Sequence, residues 1–412
     1  MKKALPAIFF ISLLLFISSC KKEKKSPEAN DASYSMLSLD YGIPVRDQGP
    51  PGACVAYAST SALEYNIRHT LGENKEINPQ DLIIDAGGVE KKEGYILFSE
   101  KSYTWAFMSE FEIQWALADG FEGYTLTRSP FFITFDDRMA KPEEIKKAIL
   151  QYGGVCAGIN ISTPEYFNTF CYYHSKGEID HEVLIIGWDD NYKKENFGGH
   201  ASSDGAWLAQ NSFGDEWGDH GYCWISYESN IQLISSYQVS NRYKDVISYA
   251  AGVDYRNDGI NTGEDTYIGN VYDHSGMIGG VGTYLGFTEE KLSLSPCSVT
   301  VEICSADFSS VIYRQEASFS LPGYYVVEFP EDIKVDGPFS VVVIYHDGNY
   351  VAVEGESNEY YTVQSHYITS INKGESFVRI NEEWRDLSDP ATLEELGLQK
   401  EPRNPCVTVL FR

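Results

Sequence analysis

Three residues able to carry out acyl transfer together occur in this 412-residue chain in a workable order and setting. Cys54 follows Gln48-Gly49-Pro50-Pro51-Gly52-Ala53, where Gly and Pro oppose a helix, and precedes Val55-Ala56-Tyr57-Ala58, which permits one. Cys54 is therefore expected on the first turn of a helix, and residues 56–70 read as the body of that central helix. There, unpaired N–H groups and the helix dipole favour a thiolate, the form that attacks carbonyls. His181 stands in Asp180-His181-Glu182-Val183-Leu184-Ile185-Ile186-Gly187-Trp188, a polar start giving way to an apolar run that ends at Gly. That pattern predicts a buried strand with a histidine at its mouth. Asn211, within Trp207-Leu208-Ala209-Gln210-Asn211-Ser212-Phe213-Gly214, offers an amide oxygen to an imidazole. Such a bond fixes one ring nitrogen as donor and turns the other toward a thiol.

A single small cysteine is more often a core residue than a nucleophile, so the argument needs all three segments. His69, His174, His200 and His220 compete as bases, but none opens a comparable apolar run. Zinc chemistry has no support: there is no Cys-x-x-Cys and no His-Glu-x-x-His.

The segment around Cys54 resembles the nucleophile motif of papain-like cysteine proteases, with Gln48, Gly49, Gly52 and Cys54 in matching positions. The stretches at His181 and at Asn211-Ser212-Phe213-Gly214 with Trp217-Gly218 and Gly221-Tyr222 resemble that family's other two motifs. His181 and Asn211 lie 127 and 157 residues after Cys54, near the roughly 130–150 usual for such enzymes. The resemblance implies an α+β fold, a two-lobed papain-like protease domain, and endopeptidase action on proteins or peptides. It implies Cys54 as nucleophile, His181 as base, Asn211 as the group orienting that base, and Gln48 as a donor to the developing oxyanion. Four positions depart from the family pattern. Pro51 replaces a disulfide-forming cysteine, Val55 and Phe213 each replace a tryptophan, and Glu182 replaces an alanine. Val55, Glu182 and Phe213 motivate a second reading, a catalytically degenerate surface protein acting as an adhesin or binding module. Gly87-Gly88 is a candidate for substrate contact.

Lys2-Lys3, an apolar run from Ala4 to Ile17, and Ser18-Ser19-Cys20 resemble a bacterial lipoprotein signal. This implies cleavage before Cys20, lipidation of that residue, and export to a membrane-anchored place in the cell envelope or at the surface. More than one acyl chain holds a soluble domain stably on a bilayer where one is marginal. The run is shorter than the roughly 18–20 residues of a transmembrane span. Residues 21–37, rich in Lys, Glu, Ser and Pro, read as a solvated tether. The protease domain is expected over 38–245, with about twenty residues before it, too few for a long helical propeptide.

Within that domain Pro142–Leu150 reads as a helix, acidic first and basic later, and a strand-rich half begins at Val155. From Val246 to the C-terminus, short alternating strands separated by turns such as Leu321-Pro322-Gly323 and Asp336-Gly337-Pro338 predict an antiparallel β-sandwich. With Gly323-Tyr324-Tyr325, Glu354, Ser376-Phe377, Trp384-Arg385-Asp386-Leu387 and Cys406, the region over 246–412 resembles the lectin-like domain that follows some bacterial papain-like proteases. A glycan or cell-wall ligand is a candidate partner there; Trp384 could stack on a sugar, although a lone tryptophan is more often core.

The net charge of −28 repels phosphate backbones and argues against nucleic acid. The 43% apolar and 14% aromatic content fits packed domains. No cofactor is expected; the acidic turns Asp189-Asp190-Asn191 and Arg256-Asn257-Asp258-Gly259 are the places where a structural calcium ion could bind. Cys156, Cys171, Cys223, Cys297, Cys304 and Cys406 allow fifteen pairings, and none is singled out.

Overall fold

The computed structural model describes residues 26–49, 53–85, 91–92, 95–96, 110–132, 141–177, 179–250, 259–288, 291–292, 296–353, 371–397 and 404–412. Cys20, Pro51, Gly52, Gly87-Gly88, Arg256-Asn257-Asp258 and Glu354 lie outside them. The fold is papain-like, with a second, sheet-rich domain in the C-terminal half.

The helix Cys54–Asn66 lies at the centre of the first domain, and almost every residue in it is buried. Its small side chains, Ala56, Ala58, Ser59, Ser61 and Ala62, let neighbours approach on all sides. A π-turn over Ile67–Leu71 carries it to Gly72, which ends it in the left-handed conformation. The helix Pro142–Tyr152 extends two residues past its predicted end. Glu144 accepts from the Lys141 backbone N–H at its start, and Gly153 closes it at φ 96°.

Against the central helix packs an eight-stranded sheet. Its middle strand, His181–Asp189, is antiparallel to Val155–Ile159 on one side and Ala206–Gln210 on the other. Eight of its nine residues are buried, which accounts for the unbroken apolar run. Ser33–Ser35 also joins this strand, pairing with Gly187–Asp189. The tether expected over 21–37 is thus shorter than predicted. Tyr34 packs on Trp188 with ring centroids 5.3 Å apart, and Met36 is fully buried. Two apolar anchors in an otherwise polar stretch suffice to dock it.

The second domain is built on two long antiparallel strands, Thr266–Leu285 and Gly323–Tyr345. Strands Cys297–Ser305, Val311–Phe319, Ser376–Ile380, Glu383–Asp386 and Val407–Phe411 extend the sheet around a second core of Val, Ile and aromatic residues. The turn predicted at Asp336-Gly337-Pro338 does not form. These residues pair with Asp273, His274 and Ser275 inside the long strand. Among the described residues that stretch is paired on one side only, where a proline's missing N–H removes no ladder bond.

The boundary predicted at 245/246 is not a seam. Thr125–Pro130 and Gln238–Ser240, from within the first domain, belong to the same ten-stranded sheet, and Gly323–Tyr325 pairs with Arg128–Pro130. Among the described residues no disulfide joins any of the seven cysteines. Cys297 and Cys304 sit at opposite positions of one strand and face different clusters, so they cannot meet.

Gly323 holds the junction together: its φ is 149°, and a Cβ there would lie 2.1 Å from the Ser129 carbonyl oxygen. Gly323→Ala is expected to destabilise the protein by about 2 kcal/mol, measured as a lowered urea midpoint. An unchanged midpoint would show that the two domains are not joined through this contact.

Candidate active site

The first turn of the central helix carries Cys54, with Ala53 before it supplying no side-chain cap. Capping is left to the sulfur's surroundings. The backbone N–H groups of Glu182, Val55 and Cys54 itself all act on the thiol and favour its ionised form. Two belong to the helix start; the third comes across from the strand bearing His181. Cys54 and His181 are 4% and 5% exposed, so the reacting groups sit at the bottom of a closed cleft.

His181 is the first residue of its strand, and Asn211 follows directly on the end of Ala206–Gln210. Pairing of Leu184 with Gln210 fixes how far one lies from the other. The Nε2 of His181 is 2.7 Å from Oδ1 of Asn211. An amide oxygen can only accept, so Nε2 carries the proton and Nδ1 is the nitrogen left for the thiol. Asn211 is held in turn: its N–H donates to the Gly221 carbonyl at 2.9 Å, and its Oδ1 also accepts from the Ser212 N–H at 2.7 Å. Phe213 covers the imidazole at 4.6 Å between centroids, Trp217 meets Phe213 edge-on at 5.8 Å, and Phe167 stacks on Trp217 at 5.4 Å.

Gln48 reaches the same place. Its N–H donates to the Ser212 carbonyl at 2.8 Å, and its Oε1 accepts from the Ser212 hydroxyl. With that oxygen engaged, the NH2 end of the amide is the end presented elsewhere. The segment bearing Gln48 is fastened to the helix by Arg46, which binds both oxygens of Glu64 at 2.9 and 2.6 Å and the Ile77 carbonyl at 3.1 Å. Sequence reading did not find this ion pair, nor Ser212 as the partner of Gln48. Gln48 and Ser212 lie inside the quoted motifs and Arg46 and Glu64 flank one of them, but separations of 18 and 164 residues give no local signal.

The electrostatics oppose the expected thiolate. Burial pushes the Cys54 thiol up to about 12, the Glu182 carboxylate adds to it, and the three N–H groups act the other way without prevailing. Burial likewise pushes His181 down to about 4, against the Asn211 bond and Asp180. Each group in the closed cleft is thus biased to its neutral form. The helix terminus moderates this bias and does not overcome it.

Among the other candidates, His69, His220 and Asp190 have structural partners. His69 bonds the Leu150 carbonyl at 2.7 Å and the Tyr41 hydroxyl at 3.0 Å. His220 lies 3.5 Å from Asp215 on the surface. Asp190, in the acidic turn, takes Lys146 at 2.6 Å and the Tyr227 hydroxyl at 2.7 Å. Among the described residues no group of three or more His, Cys, Asp or Glu is placed to hold a metal ion. Trp384 is half-buried and stacks on Phe308 at 4.4 Å.

Residues 123–242 match the papain family cysteine protease pattern, a stretch that holds His181 and Asn211 and begins after Cys54. The chain is 24% identical over 225 residues to procathepsin L of Rattus norvegicus, covering 48% of this chain and 62% of that protein. It is 27% identical over 202 residues to cathepsin K of Gallus gallus, covering 44% and 54%. The chain thus spans about three-fifths or less of the length of these curated relatives. Among solved structures, a clostridial cysteine protease, Cwp84, after propeptide cleavage superposes with a TM-score of 0.70 at 20% identity, over 92% of this chain and 98% of that one. The cysteine protease and lectin-like domains of Cwp84, a surface layer associated protein of Clostridium difficile, superpose with a TM-score of 0.67 at 20% identity, over 93% and 89%. The likeness to solved structures extends through both domains, and it establishes the fold of each.

An imidazole whose folded pKa lies near 4, below the ~6.5 of an unfolded chain, takes up its proton more readily when unfolded. Its contribution to stability is present above about pH 6.5 and is lost as pH falls toward 4. In a Cys54→Ala background, which removes coupling to the thiol, unfolding free energy is expected to fall between pH 7 and 4.5. His181→Gln in that background should shrink the fall by on the order of 2 kcal/mol. Equal pH dependence with and without His181 would mean the imidazole is not held neutral.

Proposed function

We propose that this chain is a papain-type cysteine endopeptidase held at the cell envelope by lipid on Cys20. The observation that carries the peptidase reading is the 2.7 Å bond between His181 Nε2 and Asn211 Oδ1, made beside a cysteine on the first turn of the central helix. The papain family match supports the same chemistry.

In the proposed reaction the Cys54 proton passes to Nδ1 of His181 as the sulfur attacks a peptide carbonyl carbon. Because both groups rest neutral, substrate binding and attack create the charges together. The carbonyl oxygen takes up the electron pair as an oxyanion, stabilised by the Cys54 N–H and the Gln48 side-chain amide. Collapse of the tetrahedral intermediate breaks the C–N bond, and the His181 imidazolium gives its proton to the leaving amine. The thioester is then hydrolysed by a water whose proton His181 accepts, releasing the acid and restoring the thiol. Asn211 keeps Nε2 as donor throughout, and Phe213 shields that bond from water.

The substrates in this reading are proteins or peptides, and the second domain either positions the cleft or binds a glycan or cell-wall ligand. No helix among the described residues is long and apolar enough to cross a membrane. The anchoring proposal rests on the N-terminal sequence. A second reading, a degenerate protease serving as an adhesin, draws support from the raised Cys54 thiol.

Cys54→Ala is expected to lower hydrolysis of a denatured protein substrate by about 10³-fold or more at unchanged thermal stability. An epoxide inhibitor of thiol proteases should label wild-type Cys54 and not the variant. Retained hydrolysis in the variant would remove the nucleophile assignment, and an unlabelled wild-type thiol would favour the adhesin. For the anchor, labelled fatty acid should be incorporated in cells by the wild type and not by Cys20→Ser, whose product should leave the membrane fraction. Incorporation by both would exclude lipid on Cys20.

A further inference from the structure

Glu182 is a buried carboxylate directly after the base, 3% exposed, on the strand that carries His181. Its backbone N–H acts on the Cys54 sulfur, and its charge opposes the thiolate. Its side chain borders a cavity of about 10 Å³ behind the site, shared with Ser61 of the central helix and with Gln210 and Asn211. Two atoms of those neighbours are buried and make no hydrogen bond, Nδ2 of Asn211 and Oε1 of Gln210. The opposite ends of both amides are used, by His181 and by the Pro44 carbonyl at 3.1 Å. A volume on this scale suits one water, which needs two to four polar partners. A single water can accept from the Asn211 amide while donating to Gln210 Oε1 and to the carboxylate.

We propose that Glu182 is a positioning residue of the catalytic pair, acting on the Asn211 amide through one buried water and on the Cys54 thiol through its charge. This rests on the peptidase reading. The arrangement extends the orienting chain by one step, from imidazole to amide to water to carboxylate. It ties the His181 tautomer to a charge that also restrains the thiol. The other titratable or charged groups facing this position are few. The segment before the helix brings Arg46, itself bound by Glu64, and the helix brings Tyr57 and Cys54. The strand supplies His181, Gly158 lies opposite on the neighbouring strand, and the wall from Gln210 to Ser212 is neutral. Removing the carboxylate takes away the side-chain charge that opposes the thiolate, and the thiol should ionise at lower pH.

The test is the pH dependence of Cys54 alkylation by iodoacetamide in the full chain, with kcat and KM on a peptide substrate, for wild type, Glu182→Gln and Glu182→Ala. The alkylation midpoint is expected to fall by about one pH unit in both variants. Glu182→Ala should also lose about tenfold in kcat at little-changed KM, and Glu182→Gln, which can still bond the water, should recover part of that loss. Glu182→Gln is nearly isosteric, so its fold serves as the control if Glu182→Ala is unstable. Coincident alkylation profiles in wild type and Glu182→Gln would overturn the proposal. A wild-type Cys54 inert at every pH would instead remove the peptidase reading and the proposal with it.

Discussion

A hydrogen bond from a buried imidazole to a buried amide oxygen lasts only if water is kept from both groups, and the fold around His181 and Asn211 meets that condition. Leaving either partner unsatisfied in such a place costs about 1–3 kcal/mol, so the two must arrive together. They do because one opens a central strand, the other ends the adjacent strand, and the ladder between the strands sets their separation. Asn211 is fixed from three sides, by Gly221, Ser212 and the imidazole itself. The aromatic series Phe213, Trp217 and Phe167 keeps water off the bond.

Burial that protects this bond works against the chemistry beside it. A sulfur with three N–H groups around it would ionise easily at an exposed helix end. Here desolvation and a neighbouring carboxylate outweigh them. The two shifts have one cause and point the same way: neither charge is stable alone in the cleft. A charge pair is another matter, since each ion stabilises its partner in the same low-dielectric space. In the closed cleft the two groups can therefore become charged together more readily than either can alone.

Most of the site could be read in the sequence because each member lies in a segment whose local pattern is one-dimensional. Gly and Pro before Cys54 mark a helix start, and the run after His181 marks a buried strand. The papain-like motifs join the three segments, and the structure brings them to one cleft. What the pattern could not carry is pairing at a distance. Arg46 with Glu64, Ser212 with Gln48, and Ser33–Ser35 on the His181 strand all depend on how separate segments meet. Balance between the helix terminus and burial is equally illegible, because exposure is a property of the assembled fold. The long strand Gly323–Tyr345 was misread for a different reason: Gly-Pro is a sound turn signal unless the strand is unpaired on the side the proline faces.

The shared sheet bears on how the two domains relate. A second domain joined by a linker alone would be free to reorient relative to the cleft. Here Thr125–Pro130 and Gln238–Ser240 leave the first domain and enter the second sheet, and Asn66 of the central helix donates to the Tyr152 carbonyl and accepts from the Val239 N–H. The helix that presents Cys54 is therefore tied by one side chain both to its neighbouring helix and to a strand of the shared sheet. Displacement of the second domain would have to break backbone pairing at Arg128–Pro130 or pull on that asparagine. A rigid frame of this kind holds the cleft in one fixed orientation to whatever surface the second domain rests on. It makes that domain part of the scaffold around the cleft whether or not it binds a ligand of its own.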